Sequence, residues 1–238
     1  MEIRSYNELK RELQAIGCIA PNSGQCFYRG LPDENLDLIP SLYYKPFQLS
    51  PKAFEKAILN DFKNHSGIIT STTGNTIIWT HAFLARHYGL RLRIMDWTID
   101  ISAAINFMQS VHYTNGNAAL YILPKYPGLR GGNEIYQESY FDYDKTAMLN
   151  PPEFLENIKL IGYKNRFHQS GKFLIQDYDS ARNCFYKRNN SRVHKILIPQ
   201  SILREMYIEC CADLDYDPQV PLFIKDHLTY LSETLNDR

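Results

Sequence analysis

The stretch His87-Tyr88-Gly89-Leu90-Arg91-Leu92-Arg93-Ile94-Met95-Asp96-Trp97-Thr98 packs a histidine, two arginines, a carboxylate, an indole and a hydroxyl into twelve residues. A segment serving only as a link would be shorter and built from small polar residues. This one reads as a site-forming loop between two helices. Upstream, Asn75 can cap a helix bearing Ile78, Ala82, Phe83 and Ala85 as far as Gly89. Downstream, Thr98 reads as the N-cap of a helix bearing Ile101, Ala104, Ile105 and Met108. The loop would then end on the positive end of that helix.

Working outward, Ser5 and Glu8 form a capping box for a first helix with Leu9, Leu13 and Ile16, stopped at Gly17. Gln25–Arg29 reads as a strand ending in a second polar cluster, Phe27-Tyr28-Arg29-Gly30. Ser50-Pro51 opens a helix with Phe54, Ile58 and Phe62 on one face. Ser71-Thr72-Thr73 reads as a turn leading to the Asn75 cap. Ala118–Leu123 is a strand closed by Pro124, and residues 125–150, rich in Tyr, Gly, Asn and acids, read as a surface excursion. Pro152 begins a short helix through Ile161, Lys172–Tyr178 and Val193–Ile198 read as strands, and Gln200–Cys211 and Val220–Leu235 as closing helices. The expectation is one mixed α+β domain over residues 1–238, a small sheet flanked by helices. Within it, 1–24 hold the N-terminal helix, 25–198 the core, and 199–238 the C-terminal helices.

The composition, 44% apolar and 22% charged over 238 residues, excludes extended disorder and suits one domain with a real core. No apolar run approaches the roughly 18 residues that span a bilayer, and Met1-Glu2-Ile3-Arg4 opens no signal-like segment, so a cytoplasmic protein without a membrane is expected. The five cysteines show neither a disulfide framework nor zinc spacing and read as buried, reduced thiols. Net charge is zero, yet bases cluster at Arg86–Arg93, Lys164–Lys172 and Lys187–Lys195, and acids at Glu205–Asp217. Basic stretches sharing a face would bind anions despite overall neutrality.

Arg29, at a predicted strand end before Gly30, could grip a phosphate or carboxylate with two parallel hydrogen bonds, or simply pair with a surface acid. Gly30 would let the chain turn sharply and bring a ligand close to backbone. Asp96, between Met95 and Trp97, calls for a cationic partner among Arg29, Arg93 and Arg166, either to hold the loop or to orient an arginine against an anion. Trp97 reads as an anchor or a stacking surface. His87 at a helix end gains from the dipole without any chemical duty. In the third cluster, Asn165-Arg166-Phe167-His168-Gln169-Ser170-Gly171-Lys172-Phe173, Gln169 can position a hydroxyl or a base but cannot act as a general base. There is no phosphate-binding Gly-rich loop, no His-Glu-x-x-His, no Gly-x-Ser-x-Gly and no cysteine zinc pair, so no metal is expected.

In this order the clusters resemble the FRG domain family, named for its Phe/Tyr-Arg-Gly start. Cys26-Phe27-Tyr28-Arg29-Gly30 with Leu38-Ile39-Pro40-Ser41-Leu42 is similar to the family opening. Arg86-His87-Tyr88-Gly89-Leu90 through Leu92-Arg93-Ile94-Met95-Asp96-Trp97-Thr98 is similar to its His-Tyr-Gly…Leu-Asp-Trp-Thr signature. Asn165-Arg166, Gln169, Gly171 and Phe173 resemble its Arg…Gln-x-Gly-x-Phe block, and Lys195–Pro199 with Leu222-Phe223…Asp226 its ending. Arg86 replaces a usual glutamine and Arg91-Leu92 a usual Pro-Thr, which makes the loop more basic and suggests a more anionic ligand.

The aromatic-Arg-Gly motif further resembles the first motif of ADP-ribosyltransferases, which implies an ADP-ribosyltransferase-like fold and NAD as substrate. On that resemblance Arg29 holds the NAD pyrophosphate, Tyr28 or Tyr88 sandwiches nicotinamide, and Asp96 and Thr98 lie near the nicotinamide ribose. Gln169 would stand near the place of the usual catalytic glutamate. The expected catalytic set is Arg29, Asp96 and Gln169. The expected NAD-binding set is Tyr28, Arg29, Gly30, His87, Tyr88, Arg93, Thr98 and Arg166. The implied function is a toxin or anti-phage effector that modifies nucleic acid, RNA included, in preference to protein, with an antitoxin as a further partner. The rival is a non-catalytic module binding a nucleotide or nucleic acid through the same arginines.

Overall fold

Local signals build the helices of the computed structural model, which describes residues 2–18, 24–46, 49–66, 74–109, 115–127, 129, 131–150 and 171–214. Helix α1 (Tyr6–Ala15) begins where the Ser5 side chain accepts from the Glu8 amide, and Glu8 in turn accepts from the Arg4 amide. Strand β1 spans Cys26–Leu31. Helix α2 (Pro51–His65) has Ser50 as its cap and proline at its first position. Helix α3 runs Asn75–His87, but its cap is Gly74, at φ 64°, and the Asn75 amide group donates to the Gln137 carbonyl instead. The last four residues of the expected loop after α3 are strand β2 (Met95–Thr98). Helix α4 (Ile101–Met108) is capped by Asp100 rather than Thr98, because the Asp100 carboxylate accepts from the Ser102 and Ala103 amides. Then come β3 (Asn117–Pro124), β4 (Ala147–Leu149), β5 (Gly171–Ile175), the short α5 (Tyr178–Ala181) and α6 (Phe185–Arg188), β6 (His194–Pro199) and α7 (Leu203–Asp213). The expected helices at 152–161 and 220–235 and the Ser71–Thr73 turn fall outside the described residues.

The strands form one open antiparallel sheet in the order β4-β5-β2-β1-β3-β6, within a single mixed α+β domain. Its pairing is uneven. β1 pairs with β3 from Cys26↔Pro124 to Leu31↔Ala119, and β2 with β5 from Met95↔Leu174 to Thr98↔Gly171. Between β1 and β2 the register is the single pair Tyr28↔Thr98. The sheet is thus two three-stranded halves joined at one point.

Helices cover one face in two groups. Over β4 and β5, Phe54, Ile58 and Phe62 of α2 and Trp79 and Phe83 of α3 pack with Leu149 and Ile175. Over β1, β3 and β6, Leu9 and Leu13 of α1, Ile101, Ala104 and Ile105 of α4 and Met206 of α7 pack with Tyr28, Leu120 and Ile196. The seam between the groups falls on the junction of β1 and β2. The opposite face buries Phe27, Trp97, Tyr121 and Leu174 under Leu38, Phe185 and Val193.

Two further expectations are corrected. The 125–150 stretch is not a surface excursion: Ile135, Tyr136, Tyr140 and Tyr143 are buried against α3, and β4 adds an edge strand. Trp79 Nε1 donates to the Glu138 carbonyl at 3.0 Å, and its ring meets Tyr140 edge-on at 4.9 Å. Tyrosine supplies both apolar area and a hydroxyl that can find a partner, so a polar-looking stretch can still form core. The cysteines are not all thiols either. Cys18 and Cys26 form a disulfide that ties the exit of α1 to the start of β1, while Cys184, Cys210 and Cys211 are free and buried.

Candidate functional site

Beyond Tyr28↔Thr98 the two halves of the sheet part, and the gap is filled by charge. The Arg29 guanidinium reaches from β1 to β2, where Nη1 donates to the Asp96 backbone carbonyl and lies 3.8 Å from Asp96 Oδ2. From the last turn of α3, Arg86 closes on the same oxygen, with Nε at 2.8 Å and Nη2 at 2.6 Å. Arg86 Nη1 donates to Ser41 Oγ at 2.7 Å. The Arg29 and Arg86 side chains are 11% and 15% exposed, whereas that of Asp96 is 44% exposed. Charge-assisted hydrogen bonds of this length fix the carboxylate's orientation. Among the described residues the side-chain contacts of Asp96 are made through Oδ2, and the group is held while remaining 44% exposed.

Arg86 and Ser41 belong to this centre and are missing from the residues expected of it. Both stand in the quoted family stretches, and the signal for Arg86 is its very departure from glutamine. A glutamine there would offer no charge to Asp96. Arg29 Nε and Trp97 Nε1 are buried without hydrogen-bond partners among the described residues. Each such donor is a cost of about 1–3 kcal/mol that an acceptor would relieve.

The other expected residues are dispersed. Arg93, expected on the ligand surface, is fully buried: its Nε lies 3.5 Å from Glu55 Oε2, and its Nη1 donates to the Tyr143 and Gln176 carbonyls at 2.8 and 3.0 Å. Glu55 also accepts from the Arg93 amide at 2.6 Å, from the Tyr140 hydroxyl at 2.9 Å and from the Tyr178 hydroxyl at 2.5 Å. Burial pushes the Glu55 carboxyl above its usual range, opposed by Arg93 and these donors. Arg91, read as making the loop more basic, is also buried. Its guanidinium donates to the Ser41, Leu42 and Lys45 carbonyls, which pins the segment carrying Ser41.

Tyr28 lies beneath α4, and burial pushes its phenol up to about 12. Gly30 makes no turn. It lies inside β1, where a Cβ would collide with the Ala104 carbonyl and stand 2.5 Å from Met108 Cγ, so what its backbone admits is helix α4. Tyr88 caps α3 and is buried in the α2–α3 core, with its ring edge-on to that of His87 at 5.5 Å. Thr98 Oγ1 accepts from the Asp100 amide at 2.9 Å in the turn before α4. Of the expected residues, Arg29 and Asp96 are thus brought together. Gln169 and Arg166 fall outside the described residues.

Among the described residues no group of three or more His, Cys, Asp or Glu side chains is placed to hold a metal ion. No helix among them is long and apolar enough to cross a membrane. No curated protein and no solved structure is found to match the chain. The FRG domain family model matches residues 24–116, a stretch that contains Arg29, Ser41, Arg86 and Asp96 and stops short of the Asn165–Phe173 block. The chain therefore carries an FRG domain in residues 24–116, and the carboxylate centre at the parting of the sheet is built entirely within it.

Proposed function

We propose that this chain is an NAD-dependent ADP-ribosyltransferase-like enzyme, a toxin or anti-phage effector that modifies nucleic acid, RNA included, in preference to protein. The observation that carries this reading is the Asp96 carboxylate, anchored through Oδ2 by Arg86 and Arg29 yet partly exposed. In ADP-ribosyl transfer the bond from nicotinamide nitrogen to ribose C1′ breaks, and the ring passes through an oxocarbenium-like state. The acceptor then bonds to C1′ as nicotinamide leaves and the acceptor's proton departs. A carboxylate fixed in advance can accept a ribose hydroxyl and face the developing positive charge without reorganising. Asp96 would so supply the charge that Gln169 cannot. Arg29 and Arg86 are positioning residues for Asp96, and their charge exceeds its own, which favours a phosphate-bearing substrate nearby.

The same excess charge suits the rival, a nucleotide-binding module without turnover. Incubation with labelled NAD and lysate separated into protein, DNA and RNA decides between them, alongside the Asp96→Asn and Arg29→Lys variants. Label in a nucleic-acid fraction, lost with Asp96→Asn at an unchanged melting temperature, is the expected result. Neither transfer nor nicotinamide release from folded wild-type protein would sink the enzyme reading in favour of the module.

A further inference from the structure

The β6 edge of the sheet already pairs with a short segment of the chain, and the pairing stops partway along it. Glu2 forms a parallel bridge with Leu197, and the Ile3 amide donates to the Leu197 carbonyl at 2.9 Å. The Leu197 backbone thus points away from β3. In an antiparallel ladder every second residue does so, and the preceding one on β6 is Lys195, opposite Tyr121. Among the described residues nothing pairs with the Lys195 amide or carbonyl on that outer side. Its side chain is turned to the sheet face of Tyr121, over whose ring it lies at 5.6 Å, and its Nζ donates to the Glu34 carbonyl at 2.7 Å.

A cavity of about 280 Å³ opens on this stretch of edge. Glu12 and Ile16, at the end of α1, form one wall, and Tyr186 and Asn190, from α6 and the turn after it, form the other. The floor is β6 itself, from His194 to Ile196. Unpaired backbone groups between two walls are the shape that receives an extended chain. Its main chain would pair with Lys195, and its side chains would alternate toward the two walls. Among the described residues Glu12 makes no ion pair, so the α1 wall sets an unanswered negative charge beside the apolar Ile16. That combination complements a lysine or arginine, whose stem can lie on Ile16 while its charged head meets Glu12. Lys195 Nζ, held at Glu34, leaves Glu12 to the incoming cation.

We infer that the β6 edge at Lys195, with the cavity between α1 and α6, binds an extended segment of a partner protein by strand addition and selects a Lys or Arg side chain through Glu12. Strands β3 and β1 lie between this edge and the Asp96 centre on β2, so docking here and chemistry there stand or fall separately.

The test selects binders to the full chain from a phage-displayed library of random heptapeptides, then measures the enriched peptide, fluorescein-labelled, by anisotropy. Enriched sequences should share a Lys or Arg among β-branched residues. Glu12→Gln should weaken binding about 10-fold at an unchanged melting temperature. N-methylation of one set of alternate peptide amides should weaken it about 10-fold, and of the other set should not, as strand pairing requires. A Glu205→Gln control on α7, which removes the same charge outside the groove, should change nothing. Hydrogen exchange reads the edge directly. The Lys195 amide should exchange faster than that of Ile196, which faces β3, and should slow about 10-fold or more once peptide is bound. No enriched peptide, equal binding by Glu12→Gln, or a Lys195 amide that bound peptide leaves unprotected would overturn the inference. So would a Lys195 amide protected in the free chain by a dimer seen in light scattering, which would make a second copy the occupant.

Discussion

Two arginine–carboxylate centres, with Arg93 of one and Asp96 of the other three residues apart in the chain, differ in almost every physical respect. Arg93 and Glu55 are both fully buried, and the Glu55 oxygens are saturated by an amide and two tyrosine hydroxyls. Arg29, Arg86 and Asp96 stand at the parting of β1 and β2, with buried cations and an open carboxylate. A closed ion pair can hold a fold together but has no oxygen left for chemistry. A carboxylate that is held yet partly exposed is positioned to meet a substrate. Satisfaction, more than the presence of arginine, separates scaffold from candidate site.

The sharpest way to break this contrast is Glu55→Ala, which strands the Arg93 charge in the core. It is expected to cost about 3–5 kcal/mol in urea unfolding, while Glu55→Leu combined with Arg93→Met should recover most of that loss. If Glu55→Ala is well tolerated, the buried pair is not the scaffold described. Gly30→Ala comes next at about 1–3 kcal/mol, because α4 must move off β1 to admit the methyl group; an unchanged melt would show that the close approach is slack.

Asp96→Asn should reverse the pattern, costing about 1 kcal/mol or less in stability yet at least about 100-fold in nicotinamide release. Loss of fold with this variant would place Asp96 with Glu55 as scaffold. The smallest effect is a pH slope. His81 is buried on α3, its Nδ1 donates to the Ile77 carbonyl at 2.8 Å, and burial holds its pKa below the ordinary value. The unfolded chain therefore binds a proton first. Stability should be full above about pH 6.5 and fall as the pH drops below it toward the folded-state value, and His81→Leu should remove that contribution from urea midpoints measured against pH.

Where the sequence could be read correctly, the interaction was local. The Ser5 and Ser50 caps act within three residues, and the apolar runs at 118–123 and 193–198 become β3 and β6 with shifts of a residue at their ends. Asn75 and Thr98 misled because several residues near each helix start can cap, and the winner depends on what tertiary contacts the others make: Asn75 turns to Gln137, and Asp100 outcompetes Thr98. Gly30 was legible as a close-approach glycine but not in what approaches it. The tyrosines at 136, 140 and 143 stand at the spacing of an α-helix face, yet the chain there forms two short 3-10 turns, so what buries them is tertiary packing against α3.

By itself the sequence determined that an α+β domain carries an arginine, a loop carboxylate and an FRG-like order of clusters, since composition, caps and apolar spacing act over a few residues. Only the tertiary structure decided which arginine meets which carboxylate. Arg29, Arg86 and Arg93 are chemically alike, and what distinguishes them is the single β1–β2 register and the burial of Glu55 on the inner face of α2. Burial sets the energy of a charge, and burial is a property of the assembled layers rather than of neighbours along the chain.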